Sequence, residues 1–190
     1  MKNVLTIDLD NTIFNTTPIF KEAFKRCNKK FYYSTDFDIK KCYPNDVANE
    51  IVRLFSDELW YSTTLFNKEI PTILNKLNDF YDIYYVSSRI GENPKIDSYN
   101  QLLKNGIKCT LDQIIKASDN KVKILKNLHT DLHFDDGPHV IEGCLNFNID
   151  CHMISSKEMR YNHYLRNKVK YSKNLKEAII KEKLIENIKQ

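Results

Sequence analysis

Two aspartates one residue apart follow an apolar run in VLTIDLDNT: Asp8 and Asp10, with Thr12 two positions further on. Carboxylates at that spacing repel each other and lose solvation when drawn out of water. Turn chemistry is the plain reading, because Asp and Asn bond readily to nearby loop backbone. The chemical reading is a site for a hard cation and a phosphate, since such ions take oxygen ligands.

Three other stretches bear on the choice. Ser87 directly follows DIYYV, and a hydroxyl beside a backbone N–H at a strand end can bind a phosphate oxygen; Ser88 and Arg89 come next. A lysine, Lys121 or Lys123, lies at the start of a helical pattern in SDNKVKILKNL. Lys121 directly follows the capping candidates Asp119 and Asn120, which puts it nearer the helix N-terminus. The fourth stretch is Asp135-Asp136, closing DLHFDD.

The elements that must position these residues read as alternating strands and helices. VLTIDLD (4–10), bounded by Asn11, reads as a short buried strand. Thr16 or Thr17 with Pro18 starts a helix over 18–30. Asp46 is a candidate cap for a helix carrying Val47, Ile51, Leu54, Phe55 and Leu59 on one stripe, and residues 68–80 give another stripe through Ile70, Ile73, Leu74 and Leu77. Then come strand 82–88, helix 95–105 ending at Asn105-Gly106, a weak strand near 107–115, helix 119–129, strand 131–136, helix 138–147, strand 151–155 and a charged helix over 174–188. This alternation predicts a parallel α/β sheet, whose ligands bind at the carboxyl ends of strands. Asp8 and Asp135 both fall at such ends. About 65 residues between the first two strands are helix and loop, which is too long for one crossover and reads as a helical insertion.

DLDNT, VSSR, DNKVK and FDDG, in that order, resemble the four motifs of the haloacid dehalogenase superfamily of phosphotransferases. The resemblance implies a Rossmann-like α/β core (1–15 and 81–190) with a small helical cap at 16–80. It implies Mg²⁺ as cofactor, held by Asp8, the backbone carbonyl of Asp10, Asp135 and Asp136. Asp8 is then the nucleophile that forms an aspartyl-phosphate, and Asp10 the general acid and base. Thr12, Ser87, Ser88, Arg89 and Lys121 are the expected phosphate ligands. Dehalogenase members lack the second aspartate, so Asp10 favours phosphate esters.

LWYSTTLFNKEIPTILNKL, YDIYYVSSR, SDNKVKILKNLHTDLHFDDGPHVIEG and MRYNHYLRNKVKYSKNLKEAI further resemble the 5'(3')-deoxyribonucleotidase family and its bacterial and viral relatives. That likeness implies a nucleoside monophosphate as substrate, with Phe14 and Trp60 reading the nucleoside. Members carry glycine at or near position 11; Asn11 stands here and tolerates left-handed backbone. The insertion is rich in aromatics, among them Phe20, Phe31, Tyr32, Tyr33 and Tyr61, most of them needed as its core. Alternatives are another small phosphate ester, a polynucleotide 3'-phosphate, or a non-catalytic binding module on the same fold.

Composition narrows the partners. The 190 residues are 42% hydrophobic and 28% charged with a net charge of +4, which suits a small anionic substrate more than a stable nucleic-acid partner. No apolar run reaches the roughly 20 residues of a membrane span, and the reading is cytoplasmic, with oligomeric state open, a homodimer included. Five cysteines without a C-x-x-C pair indicate neither a disulfide framework nor a zinc site. His129 and His133 are four apart but fall partly on a strand, so they do not share a helical face. His139 reads as an exposed helix start. The C-terminal run reads as a packed amphipathic helix, and Tyr161-Asn162 lies on a loop able to approach the site.

Overall fold

The computed structural model describes residues 2–30, 39, 43–117 and 120–186. Phe31, Tyr32, Tyr33, Cys42 and the capping candidate Asp119 lie outside them. Chain order is β1 (Asn3–Ile7), β2 (Phe14–Asn15), α1 (Thr17–Arg26), α2 (Asn45–Arg53), β3 (Thr64–Leu65), α3 (Ile70–Leu77), β4 (Tyr81–Ser87), α4 (Pro94–Lys104), β5 (Ile114–Lys116), α5 (Lys121–Asn127), β6 (Leu132–Asp135), α6 (Pro138–Asn146), β7 (Cys151–Ile154), β8 (Lys170–Ser172) and α7 (Leu175–Lys181).

Six strands form one parallel sheet in the order β5-β4-β1-β6-β7-β8. The chain starts at the centre with β1, builds outward through β4 and β5, then returns to build the other half from β6. A crevice opens at the carboxyl ends where the order reverses, and β1, β4 and β6 end there with Asp8, Ser87 and Asp135.

Strand alternation divides the core. Leu5, Ile7, Ile83 and Tyr85 face α3, α4 and α7 through Ile70, Leu74, Leu77, Leu102, Leu175 and Ile179. Val86 and Ala117 face α5 and α6 through Leu125, Val140 and Cys144. The insertion has its own cluster, formed by Ile19, Ala23, Phe24, Ile51, Leu54 and Leu59. Helix α3 was expected to belong to the insertion at 16–80, yet its apolar stripe packs with the sheet core.

Several boundaries differ from the sequence expectation for local reasons. Helix α1 stops at Arg26 instead of 30, with Asn28 at φ 56°, a left-handed stop. Asp46 sits inside the first turn of α2 instead of capping it, because α2 begins at Asn45 after Pro44. Beyond Arg53 the helix widens into a π-helical turn, Leu54–Leu59. A capping box between Thr110 and Gln113 takes Leu111–Gln113 into a 3₁₀ turn, so the weak strand begins only at Ile114. The last helix ends at Lys181, with Lys183 at φ 57°. Among the described residues, no helix is long and apolar enough to cross a membrane.

One close approach fixes α5, and with it Lys121. A Cβ built at Gly143 of α6 would lie 2.4 Å from Cγ2 of Val122. Valine in a helix has little χ1 freedom to yield. Gly143→Ala is therefore expected to destabilise the fold by about 1–3 kcal/mol, seen as a lower urea midpoint. An unchanged midpoint would show that the two helices are not packed through this glycine.

Candidate active site

Asp8 leaves β1 with its backbone N–H still bonded to the Phe134 carbonyl of β6 (2.9 Å), so the carboxylate is held at the mouth of the sheet. Turning the chain immediately afterwards needs a left-handed residue, and Asn11 supplies it at φ 59°. Its side chain also does what a glycine cannot. Asn11 Oδ1 accepts from Thr16 Oγ1 (2.7 Å), and its Nδ2 donates to Tyr161 Oη (3.3 Å).

Lys121, not Lys123, enters the site. Asn120 caps α5 by accepting from Lys123 N–H (2.9 Å), and the Lys123 side chain is exposed. Lys121 is buried, and its Nζ lies 2.6 Å from Asp8 Oδ1 and 2.9 Å from Asp135 Oδ2. Asp135 accepts further hydrogen bonds from Gly137 N–H at Oδ1 (2.7 Å) and from the His133 ring at Oδ2 (2.9 Å). Asp136 Oδ2 accepts from the Tyr161 hydroxyl, and its carbonyl accepts from Asn162 Nδ2 (2.8 Å).

The carboxylates respond differently to burial. Desolvation pushes the Asp8 carboxyl up to about 7, with Lys121 offsetting only part of that and Asp135 and Asp10 adding repulsion. Asp136 is likewise driven well above the usual range, by burial first and then by Asp8 and Asp135. Asp135 is buried too, but Lys121 and His133 outweigh the desolvation and hold it well below the usual range. Lys121 remains a cation: burial opposes its charge, and Asp135 and Asp8 more than restore it.

Three buried carboxylates against one lysine leave an excess of negative charge that a divalent ion would cancel. Asp8, Asp135 and Asp136 each offer an oxygen, all within 4.8 Å of one another. The set is oxygen only, as Mg²⁺ prefers. A Cβ at Gly137 would stand 3.0 Å from Asp135 Oδ1, so the glycine keeps that oxygen clear. These residues fit the expected ion.

The remaining expected residues distribute unevenly. Asp10 turns its carboxylate to Arg89, which grips both oxygens (Nε 2.7 Å, Nη2 2.6 Å). Arg89 Nη1 donates to Gln101 Oε1 (2.6 Å), and its guanidinium lies 5.1 Å from the Trp60 ring centre and 5.6 Å from that of Phe14. The arginine expected to bind phosphate is thus committed to Asp10 in this conformation. Ser87 is buried at the cavity floor; its Oγ accepts from Arg89 N–H (3.3 Å), leaving its own hydrogen to donate. Ser88 is exposed on the cavity rim. Thr12 and Phe14 are fully buried and do not line the cavity; among the described residues, the Thr12 hydroxyl has no hydrogen-bond partner. The loop folds both inward, Phe14 as the start of β2 paired with Leu65.

The cavity holds about 850 Å³. Its floor is the carboxylate cluster with Lys121 and Ser87, and its insertion side carries Phe20, Phe24, Val52, Phe55 and Trp60. Phe20 and Phe55 stack at 4.2 Å and 10°. Tyr161 reaches Asp136 from the loop expected to approach the site, while Thr6, His133 and Gln101 complete the surroundings without a motif that singles them out in sequence. The usable signal for two of them is parity: Thr6 precedes Asp8 by two residues on β1, and His133 precedes Asp135 by two on β6.

No family model matches the sequence, and no curated protein matches it. Solved structures do. A haloacid dehalogenase-like hydrolase from Streptococcus pneumoniae is 15% identical with a TM-score of 0.61, covering 90% of this chain and 92% of that one. A predicted phosphatase from Clostridium acetobutylicum is 15% identical at TM-score 0.62, covering 97% and 99%. An HAD hydrolase from Bacillus subtilis, described as bound to magnesium, is 14% identical at TM-score 0.58, covering 94% and 97%. The fold is therefore haloacid dehalogenase-like, a Rossmann-like α/β core with a central parallel sheet.

Unfolded aspartates titrate near 3.9, whereas Asp8 and Asp136 of the folded, cation-free chain titrate higher. Between roughly pH 4 and 7 the folded state then binds more protons than the unfolded one, so stability falls as pH rises through that window. Asp135 shifts the opposite way, and its contribution is lost only below the unfolded value. Protein in EDTA is expected to melt lower at about pH 8 than at about pH 5, with Mg²⁺ raising Tm more at the higher pH. Equal Mg²⁺ shifts at both pH values, by differential scanning fluorimetry, would contradict this account of the cluster.

Proposed function

We propose that the chain is a Mg²⁺-dependent phosphomonoesterase working through an aspartyl-phosphate on Asp8. The observation that carries the reading is the bridge from Lys121 to Asp8 and Asp135 at the cavity floor. A lysine so placed offsets the charge that an attacking carboxylate and an anionic ester bring together. Asp8, Asp135 and Asp136 would hold the ion, which supplies further neutralisation of the phosphoryl oxygens.

Asp8 attacks phosphorus as the ester P–O bond breaks, and Asp10 gives a proton to the departing oxygen. Water then attacks the aspartyl-phosphate. Asp10 takes the water's proton, the bond to Asp8 breaks, and phosphate leaves. Ser87 and Lys121 hold phosphoryl oxygens during both steps. Both oxygens of Asp10 accept from Arg89 in the conformation described, so proton delivery requires that grip to loosen when substrate enters.

The leaving group faces the insertion. Stacked Phe20 and Phe55, with Trp60 and Val52 beside them, offer an apolar wall suited to a flat ring. The volume suits a small ligand. A nucleoside monophosphate meets both conditions, with a charged phosphate for the floor and a base for the wall. This reading moves base contact from Phe14, which is buried away from the cavity, to Phe20 and Phe55, and keeps Trp60.

Phosphate release from deoxyribonucleoside monophosphates, with sugar phosphates and p-nitrophenyl phosphate as comparators, tests the proposal directly. Turnover is expected to require Mg²⁺ and to disappear in Asp8→Asn. A fully active Asp8→Asn protein would end the nucleophile assignment. Faster turnover of sugar phosphates than of nucleotides would leave the phosphatase and remove the nucleotide.

A further inference from the structure

We propose that His133, itself oriented by Thr6, is a positioning residue that presents Asp135 to the bound cation. The proposal rests on the metal-dependent reading of the site. Neither residue has a part in the mechanism proposed above.

Thr6 and His133 lie directly opposite each other on the paired strands β1 and β6. Both are fully buried. Each is two residues before a site aspartate, so the side chains share a face of the sheet with Asp8 and Asp135, one pleat below them. His133 Nε2 lies 2.9 Å from Asp135 Oδ2, and Nδ1 lies 2.8 Å from Thr6 Oγ1 and 3.1 Å from the Thr6 carbonyl.

The partners assign the hydrogens. An ionised carboxylate only accepts, so Nε2 must carry a hydrogen to bond Asp135. In the neutral ring Nδ1 is then an acceptor, and of its two neighbours only the Thr6 hydroxyl can donate to it. The chain runs Thr6 O–H to His133, then His133 N–H to Asp135.

This arrangement constrains the carboxylate. Asp135 Oδ2 accepts from Lys121 and His133, and Oδ1 accepts from Gly137 N–H. Of its roughly four lone-pair sites, three are taken, leaving the open one on Oδ1, the oxygen that Gly137 keeps clear. Without the histidine, Oδ2 keeps only the lysine that Asp8 also claims, and the carboxylate is free to swing. Partners that orient a metal-binding carboxylate typically alter metal affinity on the order of 10–100-fold when removed.

The test uses the full chain and Mn²⁺ as probe, with free ion counted by electron paramagnetic resonance. His133→Leu, which removes the donor, is expected to bind Mn²⁺ roughly 10–100-fold more weakly, and His133→Gln, which restores an N–H, to recover most of the loss. Long-range ¹H–¹⁵N spectra of the metal-free wild type should show the His133 hydrogen on Nε2. Thr6→Val provides an independent arm should His133→Leu fail to fold. It leaves the ring in place but removes the donor to Nδ1, so the ring loses the partner that orients it and Mn²⁺ binding should weaken.

Wild-type Mn²⁺ affinity in both His133→Leu and Thr6→Val, or a His133 hydrogen found only on Nδ1 in the wild type, would overturn the positioning role. A wild type that binds no Mn²⁺ overturns the metal reading and this proposal together. Normal Mn²⁺ binding, weakened in the variants but without phosphatase activity, upholds the positioning role and removes the phosphatase.

Discussion

Burying three carboxylates at one sheet edge with a single lysine among them is the constraint on which the rest of the structure depends. Lys121 touches two of the three, and its charge is fixed by them. One cation cannot neutralise three anions, so the balance must come from protons or from a bound ion. Burial raises the Asp8 and Asp136 carboxyls, which favours the first solution. The oxygen-only donor set makes the second available.

The fold serves this cluster by bringing residues far apart in sequence onto adjacent strand ends. Asp8 and Asp135 stand on neighbouring strands because β1 pairs with β6. Lys121 arrives from the start of a helix whose packing against α6 is set by Gly143. Beneath and beside the charges lie further donors: His133 under Asp135, and two neutral ones, Gly137 N–H at its other oxygen and the Tyr161 hydroxyl against Asp136. Neutral donors can aim a carboxylate without cancelling the charge a cation needs, which further lysines in their place would do. The short polar layer is closed by Asn162, which bonds the carbonyls of Asp136 and Ile154 and ties the last loop to β6 and β7.

Much of this was legible in the chain. The spacing of Asp8, Ser87, Lys121 and Asp135 along alternating strands and helices placed them at one sheet edge, because parallel strands present their carboxyl ends together. The preference for Lys121 over Lys123 followed from helix capping, and Asn11 adopts the left-handed geometry that its position demanded. Less legible were features decided by contacts. Thr12 and Phe14 look available next to Asp10, yet the tight turn at Asn11 folds them into the core. Helix α3 has the stripe of an insertion helix, yet its partner is the sheet. In sequence His133 reads as a histidine on a strand; its place in the site comes from a cross-strand neighbour 127 positions away, a distance that local pattern does not span.

The two interior cations divide the work of the cavity. Lys121 is locked against Asp8 and Asp135 and cannot move without stranding both. Arg89 sits on the wall and joins elements of different origin: the Asp10 carboxylate, Gln101 of α4 and the Trp60 ring. Gln101 in turn donates to the Trp60 carbonyl (3.2 Å) and to the Thr63 hydroxyl, so the chain returning from the insertion is fastened to the same group. A displacement of residues 60–63 is thereby felt at Asp10 through two hydrogen-bonding side chains. Under the proposed mechanism, the segment that would face the leaving group and the carboxylate that would protonate it are thus held by one guanidinium.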